Sequence, residues 1–280
     1  MKGEILKVGL LDKNIRKQFY KFCSKLTAIL TVGLIFIDIP RNFKLLAGII
    51  YIAVLVIAYL IYWHIANKMT QTAIKIGLTT VIVKSGDIFK ENGLKAIAFN
   101  DFFDTVVDDK MIAKKSLNGQ FIINHIDNIE KLNSDIENDD YLKSSIVGKG
   151  VKRKQGKTTK YRLGSSILID DEYILTAFSR FNKNNQAELT IQEYVNFLLT
   201  FWNEINRLYA QRSVTVPVFG SGITRFKNGF EDIDINELLR IMIWTFKISK
   251  IKFAYPAKLT IIIHNDLLSQ VNLYELRENE

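Results

Sequence analysis

The sequence predicts an α/β domain that follows a helical hairpin in the membrane. Residues 45–66 contain no acidic residue, lysine or arginine over 22 positions. That length spans a bilayer core at about 1.5 Å per residue. From residue 78 onward, short β-branched runs alternate with amphipathic helices. With 280 residues, of which 48% are apolar, the chain can bury one sizeable core beside the hairpin.

The first 25 residues are predicted to form a basic arm in the cytoplasm. The lysine and arginine residues of this arm are Lys2, Lys7, Lys13, Arg16, Lys17, Lys21 and Lys25. Lys68 and Lys75 follow the long apolar run, whereas the turn before it carries only Arg41 and Lys44. The positive-inside rule therefore places both chain termini in the cytoplasm. The arm is expected either to be a solvated face or to attract anionic lipid headgroups.

The predicted hairpin covers residues 26–66. A shorter apolar run at 26–37 precedes the long one, and Pro40 and Asn42 between them favour a tight turn. A cleaved signal peptide is disfavoured, because about 20 residues rich in charge precede the first run and no small-residue cleavage pattern follows it. A single span with an interfacial helix stays open as an alternative.

The soluble part is predicted to be one α/β domain over 78–280. The predicted strands are the β-branched segments 79–83, 96–99, 161–169, 172–178, 213–219 and 258–264. One predicted helix, over 190–210, begins with a capping box at Thr190, and another, over 236–251, begins near Asp234. Residues 127–160 change from acidic to basic with little periodicity, which predicts a polar insertion or loop.

Several functional classes are disfavoured. Much of the net charge of +9 comes from the arm and one loop, and no recognition motif is present, so nucleic acid is not an expected partner. In GKGVKRKQGKT, five residues separate Gly150 from Gly156 where a P-loop needs four, which favours a solvated basic loop. Three widely spaced histidines and the lone Cys23 form no zinc pattern and no disulfide framework. The segment FGSG at 219–222 lacks the first glycine of a nucleophile elbow.

Two segments place ligand-binding chemistry at strand ends. TTVIVKSGDIF (79–89) has Gly86 and Asp87 after an apolar strand, and VPVFGSGITRF (216–226) has a glycine turn after another. Ligands of α/β sheets bind beyond the carboxyl ends of the strands. There an acid can accept hydrogen bonds from an amine, and a glycine turn can bind a diphosphate through backbone N–H groups. Together the two segments predict a nucleotide pocket.

These segments resemble a known family. The strand before Gly86 and Asp87, the stretch AIAFND and the late strand with its glycine turn resemble a macro domain, a module that binds ADP-ribose, over about residues 78–275. The stretch AFNDFFDTVVDDKMIAKKSLNGQFI (98–122), with the preceding hairpin, is similar to the membrane-anchored macro-domain effectors of type II Thoeris, a bacterial anti-phage defence system. The resemblance implies a macro-like, three-layer α/β/α domain with a mixed sheet.

The resemblance also implies a set of ligand contacts. Asp87 would accept from the adenine amine, with Ile88 packed beside it. The distal ribose would be lined by Asn100, Asp101 and Asp104. The diphosphate would be wrapped by the turn that consists of Phe219, Gly220, Ser221, Gly222, Ile223 and Thr224. Three alternatives stay open: Asp87 as a turn cap, the glycines as a plain strand–helix turn, and the acids as surface charges.

In this family a partner TIR-domain enzyme makes an ADP-ribose derivative from NAD after infection, and the effector binds it and damages the membrane. The resemblance therefore implies a non-enzymatic effector of the bacterial inner membrane. A homo-oligomer is expected, because two spans per chain are too few for permeation. No cofactor is expected besides the ADP-ribose-type ligand. Asn100 is followed by DFFDT and not by the glycine run of hydrolytic macro domains, which weakens the alternative of a membrane-tethered ADP-ribosyl hydrolase. A reader of ADP-ribosylated proteins is a further alternative.

Overall fold

The structure, a computed structural model, describes residues 7–182, 186–251, 253 and 256–278. The chain divides into two units, one formed by Met1–Thr72 with Ser269–Glu280 and the other by Ala73–Leu268. The predicted domain limits, 78 and 280, differ from this division, because the C-terminal segment groups with the hairpin.

The described residues form eight α-helices and eleven β-strands. The helices are α1 (Lys13–Phe36), α2 (Arg41–Lys68), α3 (Leu117–His125), α4 (Ile129–Asn138), α5 (Asp140–Ser144), α6 (Ile191–Leu208), α7 (Ile235–Ser249) and α8 (Leu273–Glu278). The strands are β1 (Gln71–Ile76), β2 (Thr79–Ser85), β3 (Leu94–Asn100), β4 (Ile146–Gly148), β5 (Lys160–Tyr161), β6 (Ser166–Ile169), β7 (Tyr173–Phe181), β8 (Ala187–Thr190), β9 (Val214–Pro217), β10 (Arg225–Lys227) and β11 (Leu259–Ile263). Two 3₁₀ turns cover Ile88–Lys90 and Asn265–Gln270.

The first unit contains the two long apolar helices. Asp12 caps α1, since its side chain accepts hydrogen bonds from the backbone N–H groups of Asn14 and Ile15. Both α1 and α2 are long and apolar enough to cross a membrane, and the most apolar window of each is exposed. These helices form the predicted candidate membrane hairpin. The predicted arm is helical from residue 13 onward, and its residues 1–6 lie outside the described residues.

The second unit is built on a mixed sheet of nine strands. Eight of them follow the order β1-β2-β11-β9-β3-β7-β8-β10, and the ninth, β6, pairs with β7 outside this order. β2, β11, β9, β3 and β7 run parallel to one another. β6 runs antiparallel to β7. The carboxyl ends of five neighbouring strands therefore meet at one edge. The predicted α/β fold with a mixed sheet is confirmed.

Helices cover both faces of this sheet. Phe99 of β3 is in register with Ala177 of β7, and the next residue, Phe178, points to the other face because side chains alternate along a strand. Phe99 packs on Phe121 of α3, with ring centroids 6.2 Å apart. Phe178 packs on Phe197 of α6, with centroids 4.8 Å apart. The domain thus has three layers.

The two predicted long helices are confirmed with their caps. Thr190 and Glu193 form a reciprocal capping box at the start of α6. Asp234 and Glu237 form the same box at the start of α7. Each box satisfies two backbone donors that the first turn of a helix would otherwise leave unpaired.

The prediction of a polar loop over 127–160 is wrong in its first part, which forms α4 and α5. Leu132 and Ile136, four residues apart, are buried with 2% and 1% exposure, and Leu142 is fully buried. Asn128 and Asp139 accept hydrogen bonds from the first turns of α4 and α5 and thereby cap these helices. The apolar stripe is narrow, so composition concealed the helical period.

Candidate functional site

The candidate site is the sheet edge at which the carboxyl ends of the parallel strands meet. Asp87 follows β2, residues 218–224 follow β9, and Asn100 is the last residue of β3. β9 lies between β11 and β3 in the sheet, and β2 is the next strand beyond β11. The structure therefore brings the three predicted segments to one edge, with the glycine turn in the middle.

Asp87 begins the 3₁₀ turn after β2. Its carboxylate is exposed and accepts a hydrogen bond from the backbone N–H of Phe89 at 3.0 Å. Ile88 beside it is buried, with 4% exposure. The backbone N–H of Gly86 donates to the carbonyl oxygen of Ile263 at 3.1 Å, which fixes this segment to β11. Asp87 is thus a turn cap whose carboxylate also faces solvent.

The first half of the glycine turn is anchored in the core. The Phe219 side chain is buried, with 1% exposure, and its carbonyl oxygen accepts a hydrogen bond from the buried Tyr194 hydroxyl at 2.9 Å. Burial raises the pKa of Tyr194 well above its ordinary value, so the hydroxyl stays a donor. Gly220 has a φ of +86°, and a Cβ there would lie 2.9 Å from the Phe226 ring. Glycine is therefore required at 220 for both backbone and packing reasons.

The second half of the turn faces solvent. The N–H and hydroxyl of Ser221 both donate to the carbonyl oxygen of Val218, at 3.3 and 2.7 Å. Among the described residues, no atom lies within 4 Å of a Cβ built on Gly222. Ile223 is 68% exposed, and Thr224 is half-buried. The turn continues into β10 and not into a helix, so the alternative of a strand–helix turn is wrong.

The predicted acids after β3 are buried and are not surface charges. Asn100, Asp101 and Asp104 are 2%, 1% and 1% exposed. The Asn100 amide donates to the Asp104 carboxylate at 3.0 Å, and its oxygen accepts from the backbone N–H of Phe102 at 2.9 Å. Because a buried carboxylate is costly without partners, each acid needs a cation or donor nearby.

The basic loop supplies the partners of Asp104. Arg153 Nη1 lies 2.7 Å from Asp104 Oδ2, and the two side chains are 4% and 1% exposed. The backbone N–H of Lys157 donates to Asp104 Oδ1 at 2.8 Å. The Arg153 guanidinium also lies over the Phe102 ring, 4.0 Å from its centroid. Gly156 passes so close that a Cβ there would lie 2.5 Å from Asp104 Oδ1.

Asp101 is paired in the same way with a cation from β5. Lys160 Nζ lies 3.1 Å from Asp101 Oδ2, and the backbone N–H of Phe181 donates to Oδ1 at 3.2 Å. Burial raises the pKa of Asp101, and the charge of Lys160 opposes that rise. The expectation of a solvated basic loop is therefore wrong for its inner residues. Acids within the apolar run AFNDFFD are the signal in the sequence that buried cations are required.

Clefts lined by described residues lie at both edges of the sheet. A cleft of about 170 Å³ lies beside the glycine turn; its lining residues include Met111, Phe181, Ile223 and Arg225. A larger cleft of about 510 Å³ is lined by Gly93 and residues 170–172, which precede β3 and β7, so it lies at the amino-terminal edge. Arg212 in that cleft is paired with Asp171 at 3.0 Å. We therefore assign the candidate site to the carboxyl edge.

A family model and a known protein are similar in sequence to this chain. A family model described as Thoeris protein ThsA, Macro domain, matches residues 81–264. The Thoeris protein ThsA of Bacillus amyloliquefaciens (strain Y2) is 37% identical over 272 residues, which cover 96% of this chain and 91% of that protein.

Solved macrodomains show a weaker similarity. A mutant of the Oceanobacillus iheyensis macrodomain with ADPR has a TM-score of 0.47 at 14% identity, and covers 74% of this chain and 96% of that chain. The same macrodomain with ADP has a TM-score of 0.44 at 12% identity, and covers 74% of this chain and 94% of that chain. The family match covers more than half of the chain, and the ThsA relative covers nearly all of it. The chain therefore belongs to the Thoeris protein ThsA family and carries its macro domain.

Proposed function

We propose that this chain is a membrane effector of bacterial anti-phage defence whose macro domain binds an ADP-ribose-derived signal. The observation that carries the proposal is the convergence of Asp87, the turn 218–224 and Asn100 at one edge of a parallel set of strands. The strong similarity to a Thoeris protein supports the defence role.

The adenine and the diphosphate of an ADP-ribose-type ligand each have a counterpart at this edge. The exposed Asp87 carboxylate would accept from the adenine amine, beside the apolar Ile88. The open backbone at Gly222 lets a diphosphate approach the N–H groups of the turn. The ligand would then extend over the ends of β9 and β3, which are neighbours in the sheet.

The burial and ion pairing of Asp101 and Asp104 favour ligand sensing over hydrolysis. Asp101 and Asp104 are buried in ion pairs with Lys160 and Arg153. A general base must reach the reacting group or a water beside it, and a carboxylate sealed in an ion pair cannot do so without breaking that pair. We therefore propose a binding role, with no catalytic residue and no cofactor besides the ligand.

The hairpin supplies the membrane half of the proposal. α1 and α2 would cross the bacterial inner membrane with both chain termini in the cytoplasm. A homo-oligomer of such hairpins would disrupt the membrane, because one hairpin cannot enclose a path. A TIR-domain enzyme that consumes NAD would be the functional partner that makes the signal. The ligand must bind one state of the assembly better than another, since equal affinity shifts nothing.

Dye release from liposomes that contain the full chain tests this function. We expect release when the product of NAD and a TIR-domain enzyme is added, and no release with NAD alone. The same product should be tested for binding to the chain in detergent. Binding without any release would contradict a membrane effector and favour a reader. Release of ADP-ribose from an ADP-ribosylated protein would instead support the hydrolase.

Asp87→Ala is expected to weaken ADP-ribose binding by about 1.5 to 3 kcal/mol, because a charged hydrogen-bond partner of the adenine amine is lost. The measurement is a titration of the full chain in detergent. Asp87→Asn is the matched control, because its side-chain oxygen can still accept from the Phe89 N–H and keep the cap. If both folded variants bind as the wild type does, Asp87 only caps its turn.

A further inference from the structure

We propose that the C-terminal segment 269–278 is a strap that holds the base of the membrane hairpin closed until the macro domain binds its ligand. This inference rests on the proposed function and adds the element that couples ligand binding to the hairpin. It follows from two observations: the contacts of Asn272 and Tyr274 in the strap, and the place where the chain leaves the sheet before the strap begins.

The base of the hairpin is a compact cluster within the first unit. Trp63 Nε1 donates to the carbonyl oxygen of Val8 at 3.0 Å. The Asn67 side chain accepts from the N–H of Val8 at 3.1 Å and donates to its carbonyl oxygen at 3.2 Å. The Tyr59 hydroxyl donates to the carbonyl oxygen of Leu10. The segment before α1 is thereby fixed across the end of α2.

Tyr274, in the middle of the strap, is part of this cluster. Tyr274 is 5% exposed and packs with Val8, Ile15 and Ala66, which are at most 2% exposed. These residues come from the arm, from α1 and from α2, so the cluster joins all three parts of the base to the strap. The Asn272 amide lies 3.4 Å from the carboxylate of Asp12, the cap of α1. The further buried side chains of the strap are Val271, Leu273 and Leu276.

The burial at the base contrasts with the rest of the hairpin. The most apolar windows of α1 and α2 are exposed, whereas the cluster around Tyr274 is closed. The two helices are therefore held together at the base by packed side chains. Any rearrangement of the hairpin that opens a path through the membrane has to separate these side chains, because close-packed contacts break and do not stretch.

The chain segment that leads into the strap begins at the candidate ligand edge of the second unit, at the end of β11. The strap continues β11 through the 3₁₀ turn Asn265–Gln270. The Ser85 hydroxyl at the end of β2 donates to the Asn265 side chain at 2.6 Å. Gly86, which directly precedes Asp87, is bonded to Ile263 of β11. A ligand that moves Asp87 and Ile88 thus acts on the backbone that leads into the strap.

Tyr274→Ala is the first test, with the full chain in dye-loaded liposomes. Loss of the ring opens the cluster, and we expect roughly tenfold or more spontaneous dye release without any signal. Tyr274→Phe keeps the ring, and liposomes with this variant should retain their dye as those with the wild type do. Thermal stabilisation by ADP-ribose, measured in detergent, should be retained or increased in Tyr274→Ala, because coupling between ligand and strap is reciprocal, and its presence shows that the macro domain is folded.

Locking the strap is the second test. In a Cys23→Ser background, Asp12→Cys and Asn272→Cys can be joined by a short bismaleimide. We expect the locked chain to bind ADP-ribose but to lose the dye release triggered by the NAD product of a TIR-domain enzyme. The single variant Asn272→Cys, treated with the same reagent, should respond normally.

The outcomes separate the strap from the proposed function. The strap inference is overturned if liposomes with Tyr274→Ala retain their dye without signal. It is also overturned if the locked chain releases dye as the single variant does. In both cases the membrane effector stands. If the wild type binds no ADP-ribose and releases no dye with the TIR product, the proposed function fails and the strap inference fails with it.

Discussion

Gly222→Glu is expected to abolish binding of the ADP-ribose-type ligand. The position is open to solvent, and no described atom would meet a Cβ there, so the fold can accept a side chain. The added carboxylate would stand where the phosphates approach the backbone of the turn. Repulsion between unit charges about 4 Å apart costs about 4 kcal/mol at an effective dielectric constant near 20, which is roughly a thousandfold in affinity. Ligand titration and growth of cells that receive the signal measure the effect.

Two matched variants at the same position separate charge from size. Gly222→Gln adds the same volume without the charge and should weaken binding less than Gly222→Glu. Gly222→Ala should weaken it least. All three should still fractionate with membranes, because the proposed hairpin would insert through its own apolar helices. A Gly222→Glu chain that still binds and still stops growth on signal would show that this turn does not hold the diphosphate.

Asp104→Ala is expected to destabilise the macro domain by about 3 to 5 kcal/mol, because it leaves the buried Arg153 guanidinium without its partner. It also removes the acceptor of the Lys157 N–H, which fixes the loop. Urea unfolding of the full chain in detergent measures the change.

The double variant Asp104→Leu with Arg153→Met is the control for that prediction. Replacing both charges by apolar side chains of similar volume is often close to neutral, so part of the stability should return, while the Lys157 N–H and the Asn100 amide still lack their acceptor. If Asp104→Ala unfolds at the same urea concentration as the wild type, this pair does not hold the loop.

Local sequence signals predicted much of the fold. The capping boxes of α6 and α7 combine a side-chain acceptor with an apolar period of 3.6, and both boxes are present. β8 and β10 were missed, because AELT and RFK are too short and too polar to show a strand pattern. α4 was missed as well, because Leu132 and Ile136 form too narrow an apolar stripe to show a helical pattern.

The sequence predicted that the segments of the candidate site lie at one sheet edge, but not the contacts that their side chains make. Strand ends followed by Asp87 and by a glycine turn identify the edge, because parallel strands bring such ends together. The pairing of Asp104 with Arg153 joins residues 49 positions apart, and no local pattern records it. The contact between Asp12 and Asn272 spans 260 positions. Contacts of this kind follow from the completed fold and not from any segment alone.

The thermal stability of the full chain in detergent with and without ADP-ribose tests the central claim most directly. A ligand that binds only the folded state stabilises it by about 2.7 kcal/mol at a hundredfold excess over Kd. We predict a higher Tm with ADP-ribose, with a shift that grows with concentration and is lost in Gly222→Glu. No shift with ADP-ribose compounds, together with a clear shift from an unrelated nucleotide such as GTP, would contradict an ADP-ribose-type signal as the ligand of this domain.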